Sequence, residues 1–389
     1  DTVTLGGVLD ADDSINLGAG SNDTIAIAVT FGNAGTDHAD IFFTDATATD
    51  DPTITGVEFA QINVAGTMAA QEFSVGGSTT FADTVVLSAA TAKDVGNNNL
   101  TISGLGATQG VKLGSLVNLD SATVIMSLAD ATGTSDSLSI TTDGKNSTVT
   151  ATYEGMTVNA VETINLDLAS TTAANTTIAA GALAFANATA VNLTGSKITS
   201  ATVTAADTAT IDASAITGAT TLAFDNNAKD YIIKGSATAA NTFTMGTKLD
   251  DGDTITGGSA TTDKLTATID GLTATTGALS ISGVETIALT GSSNASTLDM
   301  SGVTGATTLA LGGGSVNQTI TGLAAGVAIQ LDDDADTPGS ITATVDVTLA
   351  DATGSDDTLT VQLTADASTP GNAKLVGSDI ENLALVGAD

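Results

Sequence analysis

Apolar and polar residues alternate with a period of two along most of the chain, in stretches such as TATID, KLTATI and SITATVDV. This alternation places successive side chains on opposite faces of a strand. Short runs of Thr, Val, Ile and Leu end at turns of Gly, Asn, Asp and Ser, whereas the i, i+3, i+4 stripes of amphipathic helices are rare. The pattern therefore predicts an all-β fold.

The shortage of aromatic residues selects among all-β architectures. The 389 residues include nine Phe, two Tyr and no Trp, too few for the cores of several β-sandwich domains. A β-solenoid needs only a narrow column of Val, Ile, Leu and Ala, in which each coil covers the next. We predict an elongated, β-helix-like rod of stacked coils, about 20 residues each, with Asp/Gly-rich turns and a division into β modules.

Internal repeats support stacked coils. The segment TIDASAITGATTLAF, from Thr210, recurs as TLDMSGVTGATTLAL, from Thr297. Four further segments share a Glu followed by apolar residues, namely ITGVEFAQINV, VNAVETINLDL, ISGVETIALTG and VGSDIENLALVG. Their glutamates are four of only six in the protein: Glu58, Glu162, Glu285 and Glu381.

A Gly-rich turn, an Asp and a strand precede each of these glutamates. The aspartates are Asp23, Asp136, Asp263 and Asp357, so a unit of turn, Asp, strand, loop, Glu and strand occurs four times. Strand parity places each Glu either inward or at a corner where a strand begins. A buried carboxylate needs a partner, and the alternatives are backbone N–H groups of a neighbouring turn or a metal ion.

The Glu-containing strands also give provisional module boundaries. Placing each boundary after such a strand divides the chain into modules 1–66, 67–168, 169–291 and 292–389. Both chain ends have strand patterns and the sequence begins with DTVTL rather than Met, so we expect a section of a longer protein.

The charge of the chain excludes several classes of function. Forty-four acidic residues oppose nine basic ones, all of them Lys, which gives a formal net charge of −35. Such a chain repels phosphates, so nucleic acid is not an expected partner. The absence of Cys excludes disulfides and cysteine-zinc sites, and no apolar run is long enough for a membrane-spanning helix.

Clustered acids in glycine-rich turns are typical of Ca²⁺ sites. This cation takes about six to eight oxygen ligands from carboxylates, amides and backbone carbonyls. We expect Ca²⁺ as the cofactor, with the four repeat glutamates as structural or metal-binding residues. The candidate metal ligands are Asp10, Asp12, Asp13, Asn22, Asp23, Asp37, Asp40, Asp136, Asp250, Asp251, Asp253, Asp263, Asp332, Asp334, Asp336, Asp356 and Asp357.

Catalysis has little support in the sequence. The one histidine, His38, lies in the turn GTDHAD, where we expect a surface position rather than a general base or metal ligand. Paired carboxylates on a β-helix could cleave polysaccharides, but no cluster of basic residues is available to bind an acidic sugar. We expect no enzyme activity.

The acidic turns and the repeated unit resemble known calcium-binding families. GNAGTDHAD and LDDGDTITGG resemble the glycine–aspartate nonapeptide of RTX proteins, and ATGTSDSLSI followed by AVETINL resembles the RTX-type S-layer proteins of Gram-negative bacteria. The resemblance implies type I secretion, Ca²⁺-dependent folding, and subunits that self-assemble into a cell-surface lattice. It also implies attachment to lipopolysaccharide, through a region outside this chain.

We therefore expect an extracellular structural protein that assembles with copies of itself. An RTX-like adhesin or an extracellular filament subunit is the alternative, and a polysaccharide-active β-helix enzyme is a weaker one. A saline habitat alone would also explain the acidity, in which case stability would respond to bulk salt without a special effect of Ca²⁺.

Overall fold

In the computed structural model the chain forms two compact units, Asp1–Thr217 and Gly218–Asp389. Every regular element among the described residues is a strand. The structure describes residues 1–5, 14–31, 38–40, 53–55, 57–66, 71–74, 83–89, 93–94, 100–114, 117–118, 123–142, 151–168, 178–224, 229–247, 249–269, 279–291, 294–312, 317–331, 344–351, 353, 357–363, 374–378 and 380–387.

The first unit contains twenty described strands. They are β1 (Thr2–Leu5), β2 (Ser14–Asn16), β3 (Thr24–Phe31), β4 (His38–Asp40), β5 (Thr53–Thr55), β6 (Phe59–Gly66), β7 (Gln71–Ser74), β8 (Thr84–Ala89), β9 (Lys93–Asp94), β10 (Leu100–Leu105), β11 (Gly110–Leu113), β12 (Val117–Asn118), β13 (Thr123–Leu128), β14 (Ser137–Thr142), β15 (Ala151–Asn159), β16 (Thr163–Leu168), β17 (Ile178–Ala184), β18 (Ala190–Gly195), β19 (Ile198–Thr204) and β20 (Ala209–Ile216).

The second unit contains sixteen described strands. They are β21 (Thr220–Phe224), β22 (Tyr231–Lys234), β23 (Asn241–Thr244), β24 (Thr254–Thr256), β25 (Lys264–Ile269), β26 (Ser280–Ser282), β27 (Thr286–Gly291), β28 (Ser296–Asp299), β29 (Val303–Thr304), β30 (Thr308–Gly312), β31 (Gln318–Leu323), β32 (Ala328–Leu331), β33 (Thr344–Leu349), β34 (Thr358–Leu363), β35 (Lys374–Ser378) and β36 (Asn382–Gly387).

The strands build parallel sheets. In the first unit the two long sheet orders are β1-β3-β6-β8-β11-β14-β16-β18-β20 and β4-β7-β10-β13-β15-β17-β19. In the second unit they are β22-β24-β26-β29, β21-β23-β25-β27-β30-β32-β34-β36 and β28-β31-β33-β35. Strands that are neighbours in a sheet belong to successive turns of the chain. This is the topology of a β-solenoid and confirms the predicted fold class.

The core of each unit is a column of aliphatic side chains in register. In the first unit Leu138, Ile164, Val191 and Ile211 follow one another on successive paired strands, and all four are fully buried. The intervening positions point outward, as period-two alternation requires. Burial of these aliphatic side chains stabilises the stacked coils through the hydrophobic effect.

Coil length varies around the predicted value of about 20 residues: paired positions lie 20 residues apart between β17 and β19 and between β30 and β32, and 27 apart between β16 and β18. The hydrogen bonds that join equivalent corners link residues 22, 24, 26 and 35 positions apart. The additional residues lie in connections between strands, where length adds little to the free-energy cost of forming the coil. The four module boundaries proposed from the sequence are finer than the two compact units and stay predictions.

The 15-residue repeat keeps its local geometry. In β20 the Asp212 carboxylate accepts a hydrogen bond from the Ser214 N–H at 3.0 Å. Asp299, its counterpart after Thr297, accepts one from the Ser301 N–H at 2.9 Å. No helix among the described residues is long and apolar enough to cross a membrane.

Candidate metal centre: the acidic corners

In each of the four repeated sequence motifs, the Asp and the Glu lie next to each other where a strand begins. In every one of the four pairs, the Asp N–H donates a hydrogen bond to Oε2 of the Glu one coil later. The N···O distances are 2.7 Å for Asp23–Glu58, 2.9 Å for Asp136–Glu162, 2.8 Å for Asp263–Glu285 and 3.2 Å for Asp357–Glu381. We call these four pairs the acidic corners.

Backbone hydrogen bonds continue through the same corners. The Asp136 carbonyl accepts from the N–H groups of Glu162 and Thr163, at 3.2 and 2.9 Å. The Glu162 carbonyl then accepts from Thr189 and Ala190 in the following coil, at 2.9 and 3.0 Å. The Glu side chain therefore pairs with the N–H group of a neighbouring turn, one of the two kinds of partner that the sequence leaves open.

The Asp carboxylates of three corners retain an unpaired oxygen. Oδ2 of Asp23, Asp136 and Asp357 is shielded from solvent and accepts no hydrogen bond within the part of the chain that the structure describes. Asp23 is the most deeply placed, with 3% of its surface exposed, and its Oδ1 accepts a hydrogen bond from the amino group of Asp1. Leaving a buried carboxylate oxygen without a donor costs free energy, and a bound cation would offset that cost.

Glycine at the third position before the Asp makes room for this arrangement. A Cβ atom on Gly20 would overlap the Asp23 carboxylate, and one on Gly133 would lie 2.8 Å from Oδ1 of Asp136. The carboxylate therefore lies directly against the backbone of its own turn. The sequence G-x-x-D is the local signal for this geometry.

The Asp263 corner differs because its carboxylate is fully engaged. Oδ1 accepts from the N–H and Nδ2 of Asn241, at 2.6 and 3.1 Å, and Oδ2 accepts from the Gly258 N–H at 2.8 Å. The side chain is completely buried. Here N–H donors supply the stabilisation that the other three corners lack.

Asp253 occupies a second type of corner, in the turn LDDGD. Its Oδ1 accepts from the Tyr231 N–H at 2.9 Å and its Oδ2 from the Asp250 N–H at 3.2 Å. Desolvation raises the pKa of Asp253 to about 7 against the opposing effect of these two hydrogen bonds, and the Asp250 and Asp230 carboxylates add to the increase. Asp251 is exposed in the same turn.

Two turns that the sequence analysis missed come before the corners of Asp136 and Asp357. In each, Thr donates from its N–H at 3.1 Å and from its hydroxyl at 2.7 Å to one Asp oxygen, in the pairs Asp130–Thr132 and Asp351–Thr353. In each turn the hydrogen bond from the Thr hydroxyl is the larger cause of a lowered pKa of the Asp, and the hydrogen bond from the Thr N–H lowers it further. The signal was the repeated hexapeptide LADATG.

The remaining predicted ligands are not brought into one site. Asn22 is exposed beside Asp23, and Asp40 lies in β4, which begins at His38. Among the described residues no three acidic or histidine side chains converge as a metal-binding group. Eight candidates lie outside the described residues: Asp10, Asp12, Asp13, Asp37, Asp332, Asp334, Asp336 and Asp356.

The donors at the acidic corners fit Ca²⁺ in kind. We call the corners of Asp23, Asp136 and Asp357 the incomplete corners. Each has a buried carboxylate oxygen that is unpaired among the described residues, and in the sequence a glycine stands three residues before the Asp. Hard oxygen donors of this type suit Ca²⁺, which completes its coordination with carbonyl oxygens and water. The sequence contains no Cys, and the described corners contain no imidazole, so nitrogen and sulfur ligands are not part of them.

No protein family, curated protein or solved structure matches this chain. The fold and the corners define its class as a parallel β-solenoid with repeated Asp–Glu corners.

Proposed function

We propose that the protein is a structural component of a bacterial surface layer, which assembles with copies of itself and is stabilised by Ca²⁺ at its acidic corners. One observation carries the calcium part of this proposal: three corners of the repeated unit share an unpaired buried carboxylate oxygen, at Asp23, Asp136 and Asp357. Recurrence of the same unsatisfied atom in the same motif favours a common ligand over a local packing accident.

The hydrogen bonds between the repeated Asp and Glu residues support the structural role. The glutamates join successive coils through hydrogen bonds, and the aspartate N–H groups are their donors. The repeated motif therefore serves coil stacking. A net charge of −35 opposes compaction, and divalent cations at the corners would reduce this repulsion.

Calcium would couple folding to location. A ligand that binds only the folded chain stabilises it by an amount that grows with ligand concentration, about 2.7 kcal/mol at one hundred times the dissociation constant. In a calcium-poor cytoplasm the chain would remain export-competent, and extracellular calcium would favour the folded coils.

The test compares two aspartates of the same motif. Wild type should unfold at a higher temperature in millimolar calcium than in chelator. Asp136→Asn should lose part of this increment and should be no less stable than wild type in chelator, because an unpaired buried charge has been removed.

Asp263→Asn is the matched control. Its oxygens already accept three hydrogen bonds, so the variant should be destabilised in both buffers and keep the full calcium increment. An unchanged increment in Asp136→Asn, or no increment in wild type, would refute calcium binding at these corners.

The alternative is an adhesin or filament subunit. Electron microscopy of native material distinguishes the two assemblies, since a surface layer is a planar lattice and a filament subunit forms isolated fibres.

A further inference from the structure

A buried polar network joins three successive turns of the second unit. Ser236, Asn241 and Asp263, which lie in or next to these turns, are completely buried. The turns are 235–240 between β22 and β23, 257–263 between β24 and β25, and 283–285 between β26 and β27. Buried polar groups need hydrogen-bond partners inside the fold, and in these turns the chain itself supplies them.

Asn241 is the centre of this network. Its Oδ1 accepts from the Ser236 N–H at 2.6 Å, and its Nδ2 donates to the carbonyls of Ser236 and Ala239, both at 3.0 Å. Nδ2 also lies 3.1 Å from Oδ1 of Asp263, to which it donates. One side chain therefore closes its own turn and connects it to the next coil.

Asp263 extends the network to the third turn. Its oxygens accept from the Asn241 N–H, the Asn241 amide and the Gly258 N–H, and its own N–H donates to Oε2 of Glu285 at 2.8 Å. A backbone hydrogen bond runs alongside, from the Ser259 N–H to the Ala237 carbonyl at 2.9 Å. Polar groups of three consecutive coils are thus joined without a bound ion.

The same coils satisfy their other buried acid in the same way. Asp253 accepts a backbone N–H on each of its two oxygens, from Tyr231 and from Asp250. The turns are also packed backbone to backbone, since a Cβ atom on Gly258 would lie 2.3 Å from the Ser236 carbonyl oxygen. In these coils, N–H donors occupy the positions around the carboxylates that a cation would take at the incomplete corners.

We call β22 to β27, together with the three turns, the seed coils. We propose that the seed coils hold their fold without calcium and are the template on which the calcium-dependent coils of the second unit become ordered. The inference rests on the proposed function, because it gives calcium-driven folding a calcium-independent starting point. Each coil of a solenoid contacts only its neighbours, so an ordered stack can direct the folding of the coil beside it.

The size of the seed coils is compatible with export of an unfolded chain. A folded segment of about 60 residues is only marginally stable by itself, so it can open during passage out of the cell. Once outside, it would re-form without waiting for the ion. Calcium at the Asp357–Glu381 corner would then stabilise coils that are added to an existing stack.

Hydrogen exchange of the full 389-residue chain, followed by mass spectrometry in chelator and in millimolar calcium, tests the proposal. In chelator, peptides that contain Asn241, Gly258 and Asp263 should exchange about tenfold more slowly, or slower still, than those that contain Asp136 or Asp357. Calcium should slow exchange at Asp136 and Asp357 by about tenfold or more, and should change exchange in the seed coils by less than about twofold.

Asn241→Ala tests the network itself. It removes the side chain that links the first two turns and leaves buried partners unpaired, so exchange throughout the seed coils should be about tenfold faster in chelator. Calcium should not restore the lost protection. Thr242→Ala, at the half-buried next position on the outward face of β23, is the matched control and should exchange as wild type does.

The wild-type comparison decides the matter even if Asn241→Ala fails to fold. Seed coils that exchange in chelator as fast as the incomplete corners would overturn the proposal, as would seed coils whose protection depends on calcium. Wild-type exchange in Asn241→Ala would also overturn it. Slow exchange confined to the seed coils, with no effect of calcium at any corner, would instead refute calcium binding and leave the seed coils standing.

Discussion

At the residue scale, side-chain length and position explain how the corners work. Glu285 reaches back across one coil to the Asp263 N–H, and Asp253 likewise accepts from the N–H of Tyr231, which lies 22 residues earlier. An acidic residue at a corner therefore provides an acceptor for an N–H group that parallel pairing leaves without one. This use of the acids explains why four of the six glutamates share one motif.

Glu285→Ala should lower the free energy of unfolding by about 1–2 kcal/mol, because the Asp263 N–H loses its acceptor in a partly buried site. Glu285→Gln keeps an oxygen at the same place and should recover most of the loss. Chemical denaturation in chelator measures both variants. Equal damage by Ala and Gln would mean that the charge, rather than the hydrogen bond, stabilises this corner.

Stability should also fall as pH rises through the titration of Asp253. Its pKa is raised to about 7 by desolvation, so between about pH 4 and pH 7 the folded chain holds a proton that the unfolded chain has released. The free energy of unfolding should decrease across this window, by up to about 4 kcal/mol. Neighbouring Asp230 and Asp250 act in the same direction.

Asp253→Asn, compared with wild type in chelator over the same pH range, isolates this group. The variant should lose the negative slope. Parallel pH profiles for the two proteins would show that Asp253 is ionised throughout and that other groups set the dependence.

At the element scale, successive turns approach each other so closely that some positions must be glycine. This requirement limits the sequence as strictly as the need for aliphatic residues in the core column. A Cβ atom on Gly257 would overlap the carbonyl oxygen of Gly283 in the next coil. One on Gly110 would make ordinary contact, with the Ser139 carbonyl oxygen 3.4 Å away. These two glycine positions thus differ sharply in their tolerance of one added methyl group.

Gly257→Ala should therefore destabilise the second unit by about 3 kcal/mol, since backbone atoms must separate. Gly110→Ala should change stability by less than about 1 kcal/mol, because its Cβ has space and the unfolded chain loses freedom. Urea unfolding of the two variants provides the comparison. Similar effects at both positions would contradict the packing described here.

The sequence predicted the elements better than their connections. Period-two alternation and repeated motifs are local properties, and they identified the β-solenoid correctly, but they left open which group each repeated Glu contacts. The predicted coil length of about 20 residues holds for coils such as that between β17 and β19, whereas long insertions, such as that between Asp23 and Glu58, carry no periodic signal. Nor could spacing reveal that Asn241 and Gly258 satisfy Asp263 while Asp136 keeps an unpaired oxygen, since that difference depends on which turn lies beside each carboxylate.

At the scale of the whole molecule, a large negative charge coexists with a core of small aliphatic residues. The core gains free energy from burial, and the charge opposes compaction and association. Cation binding at buried acidic oxygens would link these opposing effects, making both folding and assembly responsive to extracellular calcium. The account thus depends most on whether the incomplete corners hold the ion.

An experimental structure of the chain at saturating calcium, with anomalous scattering to identify the ion, is the most direct measurement. We predict calcium in contact with Oδ2 of Asp23, Asp136 and Asp357, and none at Asp263, whose oxygens are occupied by N–H donors. Corners at which these three oxygens meet only protein donors or water, at saturating calcium, would contradict the account.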